Sequence, residues 1–229
     1  LRSHEDPGWL AALGGMQSGP DAADAVLTSE WSFSVLCYDA AIQNALSAAE
    51  SAARALARRG HMAVLLGAEP LAAPLAALTQ VEGGQDRPAR LLLAVPDHGD
   101  GLNFALAASA VTLLSSVNCR GIVGVDASDI WSAIGGSRPG AATHAVADRG
   151  QGAAAFGRSI VSATCKAGVQ LRSVRRLLIS AVLPPEWNLR ELDDLVTTVA
   201  DGFEGADAAI MSAVCDPTAN TKSVLLVCS

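Results

Sequence analysis

Two periods of apolar residues organise this chain. From Asp39 to Arg59 (DAAIQNALSAAESAARALARR) apolar positions return at helical spacing. Alanine is abundant there, arginines gather in the last turn and Gly60 follows, which predicts one long helix. HMAVLLG (61–67) and RLLLAVP (90–96) are instead short unbroken apolar runs. Such runs predict strands of a parallel sheet covered on both faces. DAVLTSE (24–30) reads as a weaker strand, PLAAPLAALTQV as a short helix interrupted by proline, and EGGQDRP as a loop. Strand, helix, strand, helix, strand is the order of right-handed crossover units in an α/β layer.

The pattern then changes. LNFALAASAVTLLSSV (102–117) predicts a buried helix, GIVGVD a loop or short extended piece, and ASDIWSAI a short helix closed by Gly135 and Gly136. Beyond it, strands are expected at 140–148, 175–184, 207–216 and 222–229, with helices at 152–167 and 188–203. The Pro, Asn and Thr of DPTANT favour a turn, so the last two strands are expected to pair as an antiparallel hairpin. The resulting division is a loosely ordered segment (1–20), a parallel α/β half (21–100), a connecting helix (101–118) and an α+β unit with a mixed sheet (119–229).

Composition sharpens this picture. Half of the 229 residues are apolar and 17% are charged, enough for a sizeable core. Aromatics are only 4%, so alanine and glycine fill the space and elements approach closely. A net charge of −7 argues against a broad nucleic-acid surface. The one basic cluster, Arg172, Arg175 and Arg176, reads as a solvated strand entrance. Cys37, Cys119, Cys165, Cys215 and Cys228 are odd in number and lie far apart, which speaks against a disulfide framework or zinc site and fits a reducing cytoplasm. No apolar run reaches the roughly 18 residues of a membrane span, and no signal peptide is expected. The chain opens on Leu1, so a longer natural N-terminus remains open.

Several motifs carry candidate chemistry. GQGAAAFG (150–157) has the spacing of a dinucleotide fingerprint, but the acid required about 20 residues later is missing from QLRSVR, so close packing explains its glycines better. Neither a phosphate-binding P-loop nor a nucleophile elbow is present. His4, His61, His98 and His144 share no ligand spacing, so no metal is expected. Asp97, His98 and Asp100 follow a strand end, where α/β sheets often bind ligands, and would be the site of a small-molecule enzyme or binding domain. Asp126 and Asp129 admit two readings. Asp126 can cap the helix that follows, with Asp129 in its first turn, or the two acids can belong to a catalytic interface.

Four ordered pieces carry a family resemblance. GVDASDI resembles the segment N-x-D-x-A-D-[IV] of FtsZ, a bacterial division protein related to tubulin. The Gly/Ala-rich stretch 135–156 is similar to the loop and helix that follow there. RRLLISAVLPPEWNLRELDDLV resembles its strand, turn and D-L-x-L-x-E-[VL] helix, and ADAAIMSAVCDPTANTKSVLLVCS resembles its closing strands. Residues 20–117 follow the order of the later elements of the family's nucleotide domain, and the family's opening strands have no counterpart here.

The resemblance implies a reduced FtsZ/tubulin-like fold and makes Asp126 and Asp129 the acids that complete a neighbour's GTP-hydrolysing site. It also marks departures. Gly124 stands where the family has asparagine. The family's phosphate-wrapping G-G-G-T-G-[ST]-G is matched in position to WSFSVLCYD (31–39), where Trp31, Phe33 and Tyr38 fill the space and Asp39 opposes phosphate; GGMQSG (14–19) is the one candidate remnant of the first glycine loop. The expectation is a non-hydrolysing pseudo-GTPase without cofactor, acting through an FtsZ-like partner or itself. An active GTPase with a rearranged site, binding GTP, is the alternative.

Overall fold

The computed structural model describes residues 26–28, 33–39, 42–59, 62–68, 89–93, 102–134 and 140–229. The strands are β1 (Val26–Thr28), β2 (Phe33–Asp39), β3 (Met62–Ala68), β4 (Ala89–Leu93), β5 (Gly121–Val123), β6 (Gly140–Asp148), β7 (Arg176–Leu183), β8 (Ala208–Cys215) and β9 (Thr221–Cys228). The helices are α1 (Ala45–Ala57), α2 (Leu102–Asn118), α3 (Ala127–Ile134), α4 (Ala153–Lys166) and α5 (Leu189–Asp201).

These strands form one mixed sheet in the order β1-β2-β3-β4-β6-β9-β7-β8-β5. β2, β3, β4 and β6 run parallel, joined across the middle by Leu91↔Gly140 and Leu93↔Ala142. Gly140 permits that junction, since a Cβ there would stand 3.0 Å from both Leu91 Cδ2 and the Cys228 carbonyl.

Alternation along the strands sorts the helices onto two faces. Leu36, Tyr38, Ala63 and Leu65 pack under α1. On the same face, Leu177, Ile179, Leu226 and Ala141 pack under α4 and α5. The opposite face buries Phe33, Val35, Val64, Leu91, Ala142, Leu178 and Leu225 beneath α2 and α3, so one core spans strands before and after α2. Residues 109–116 of α2 are buried without interruption. A stretch enclosed on all sides carries little amphipathic contrast, which is why small and apolar residues mix with Ser and Thr here and no charged face appears. Among the described residues, no helix is long and apolar enough to cross a membrane.

The expected final hairpin is corrected. β9 lies between β6 and β7, antiparallel to both, while β8 pairs in parallel with β7. Helix α5 supplies the crossover from β7 to β8, and both edges of β9 are used by other strands. The turn at 216–220 therefore carries the chain over β7 instead of closing a hairpin. The helix expected at PLAAPLAALTQV lies outside the described residues.

Candidate functional site

Helix α2 delivers the chain to the edge of the sheet, where β5 pairs antiparallel with β8 through Gly121↔Val214 and Val123↔Ala213. Glycine is required at 121, because a Cβ there would meet the Ala213 carbonyl at 2.5 Å. Gly124 and Val125 then lead to the acidic tip. The Asp129 amide donates to Asp126 Oδ1 at 2.9 Å, and the Asp126 amide donates to Asp129 Oδ2 at 3.0 Å. The Ser128 hydroxyl adds a third bond to Asp126 Oδ1 at 2.6 Å. This is a reciprocal cap: each carboxylate satisfies an amide that the helix start would otherwise leave open. The Ser128 hydroxyl, and after it the Asp129 amide, hold the Asp126 carboxyl below its ordinary value, so it is ionised at neutral pH.

The far end of α3 is held as firmly. Arg176 Nη1 donates to the Ser132 carbonyl at 2.7 Å, and Ser229 Oγ donates to the Ala133 carbonyl at 2.6 Å. A cation at a helix C-terminus also complements its dipole. Ile130, Ala133 and Ile134 bury the inner face of α3. The two acids thus sit on a short helix fixed at both ends, with Asp126 exposed and Asp129 partly so. Each uses one carboxylate oxygen in the cap. The other oxygen takes no part in it, so capping and outward chemistry are compatible: the pair can orient a water or accept its proton.

Sequence reasoning placed Asp126 and Asp129 at a helix start, and they are there together. It missed their supports. Ser128 stands between the two acids, where a hydroxyl can reach the first carboxylate, but Arg176 and Ser229 are 44 and 96 residues away from the carbonyls they hold, and no local pattern announces them. The basic cluster is exposed at the entrance of β7, as expected, and its members also make contacts. Arg176 holds α3, Arg175 donates to the Gly205 carbonyl at 3.2 Å, and Arg172 pairs with Glu204 at 3.3 Å.

The proposed place of the phosphate loop is also corrected. Residues 33–39 are not a loop but strand β2, flanked by β1 and β3, and its side chains enter the cores on both faces. Phe33 joins the core under α2 and Tyr38 the core under α1. The Tyr38 ring lies across Gly67, and its hydroxyl accepts from Arg90 Nε at 2.8 Å. A strand-to-helix junction does follow, between β2 and α1. It reads Ala40-Ala41-Ile42-Gln43-Asn44 and contains no glycine. Asn44 opens α1 at φ 68, and Ile42 is exposed.

In GQGAAAFG the close packing belongs to Gly157, where a Cβ would meet Thr198 Cβ of α5 at 3.0 Å; Gly150 and Gly152 have open space. None of the five cysteines, all among the described residues, forms a disulfide. His144 bonds Ser223 Oγ at 2.8 Å and is partly buried. Among the described residues no cluster of three or more His, Cys, Asp or Glu could hold a metal ion. Asp97, His98, Asp100, Trp31 and GGMQSG lie outside the described residues.

The fold is that of FtsZ and CetZ structures. A point mutant of FtsZ from M. jannaschii superposes with a TM-score of 0.58 at 19% identity, over 77% of this chain and 59% of that one. CetZ from Methanosaeta thermophila gives 0.59 at 15% identity, over 85% and 60%. CetZ2 from Haloferax volcanii, in a GTPγS-bound protofilament, gives 0.56 at 16%, over 88% and 66%. The chain thus spans about three fifths of the length of these proteins. No family model matches the sequence, and no curated protein matches it.

Proposed function

We propose that this chain works as a non-hydrolysing FtsZ-like protein. It acts through protein–protein contacts, presenting the Asp126–Asp129 tip to the nucleotide-bearing face of another subunit of the same fold. The observation that carries this reading is the tip itself: two acids locked to each other, one of them held ionised, on a helix pinned at both ends. Ile122, exposed on β5 beside the acids, adds an apolar contact. The contact between copies of this fold in the CetZ2 protofilament is the property carried over. In a partner's site the free carboxylate oxygens would polarise water toward the terminal phosphate. Gly124, in place of the family's asparagine, leaves that contribution incomplete.

The chain's own β2–α1 junction supports its role as giver and not holder of nucleotide. Phosphate loops depend on glycines that let backbone amides approach the anion. This junction has none, and Asp39 precedes it with the wrong sign. Titration calorimetry with GTP is expected to show no heat of binding, and micromolar binding would instead favour a rearranged GTPase. The partner reading is tested by co-sedimentation with FtsZ filaments from the same source. Wild-type chain is expected to pellet with them or shift their amount, and Asp126→Asn to do so less. If wild type neither pellets nor alters the filaments, the reading fails.

A further inference from the structure

Ser180 of β7 and Ser212 of β8 are direct partners in the parallel register, so both hydroxyls rise from the same face of the sheet. That face is the one covered by α2 and α3, as the neighbouring Leu178 and Leu225 show. Both serines are 0% exposed, and neither hydroxyl has a hydrogen-bond partner. The helix above offers no direct relief. Ser109, Thr112 and Ser116 of α2 are buried as well, but their hydroxyls bond to the carbonyls of Ala105, Ala108 and Thr112 within the helix. One side-chain contact reaches from α2 toward the sheet here, Thr112 Oγ1 to Ser223 Oγ, and at 3.5 Å it is long. At the last residue of α2, Asn118 Oδ1 is a further buried acceptor without a partner.

From this arrangement we infer that the seam between α2 and strands β7 and β8 is a binding site for an ordered water bridging Ser180 Oγ and Ser212 Oγ. Dry orphaned hydroxyls are costly, and buried polar groups of natural proteins nearly always find a partner. The geometry suits a bridge. Adjacent strands lie about 4.8 Å apart, and one water making two bonds of about 2.8 Å spans that gap. A water both donates and accepts, as two hydroxyls in any rotation require. Apart from the long Thr112–Ser223 contact, helix α2 is therefore held over this part of the sheet by shape and by solvent.

The test is a crystal structure of the chain at a resolution that shows ordered solvent, paired with solvent magnetic relaxation dispersion. The expected result is a density peak within hydrogen-bond reach of both Oγ atoms, and one long-lived water fewer in the Ser180→Ala/Ser212→Ala double variant. Two hydroxyls bonded to each other or to strand carbonyls, with no density between them, would overturn the inference. The wild-type crystal decides the matter even if the double variant does not fold.

Discussion

Asp126 serves the fold and faces solvent at once, and the two roles separate by substitution. Asparagine keeps the capping oxygen but cannot ionise. Because the folded carboxyl titrates below its ordinary value of 3.8, its stabilising contribution is complete above that value and is lost as pH falls through the lowered one. The acid limb of a urea-midpoint profile is therefore expected to be shallower in Asp126→Asn than in wild type, with wild type the more stable at pH 7 and the two converging at low pH. His144 has the opposite chemistry and the same direction. Burial pushes its pKa from 6.5 down to about 4, so the unfolded chain binds the proton first. Stability is expected to decline as pH drops from 6.5 toward about 4, and His144→Gln to remove that part of the slope. An unchanged slope would mean that the imidazole is solvated in the folded chain.

Elements in this molecule are held by a few close approaches and caps. Helix α5 starts with a capping box in which Asn188 Oδ1 accepts from the amides of Arg190 and Glu191, and Glu191 Oε2 accepts from the Asn188 amide. Asn188→Ala is expected to lower unfolding free energy by about 1 kcal/mol in chemical denaturation. At the contact of α4 with α5, Gly157→Leu places a branched chain against Thr198 and Leu195, and a loss of about 1–3 kcal/mol is expected. Most elements were legible because their signals are local. The 3.6-residue recurrence gave α1, α4 and α5, the Asp126–Asp129 spacing gave the start of α3, and the apolar runs gave β3, β4 and β7. Pairing was not legible. A strand's partner is set by crossover connections and by which edges are already filled, so β9 reads locally as the second arm of a hairpin although it lies between β6 and β7. The β2 stretch misled for a related reason. A bulky segment at a loop's expected place looks like a plug, whereas Phe33 and Tyr38 are ordinary strand residues facing opposite cores.

At the scale of the molecule, one sheet and one shared core join the strands before α2 to those after it. The acidic tip therefore stands on a continuous body. Lys222 adds to this near the start of β9. Buried there, it donates to the Arg149 and Gln151 carbonyls and lies 4.9 Å from the Trp187 ring centroid, tying the turn before α4 to the turn before α5. A tip so mounted is suited to bind without rearranging, so the proposed contact is expected to depend on its charge more than on its shape. The most direct measurement is steady-state GTP turnover by an FtsZ from the same source, titrated with wild-type chain and with Asp126→Asn. Wild type is expected to change the turnover rate in a saturable way, and the variant, equally folded, to do so far less. Turnover unaffected by wild type, or changed equally by both proteins, would contradict this.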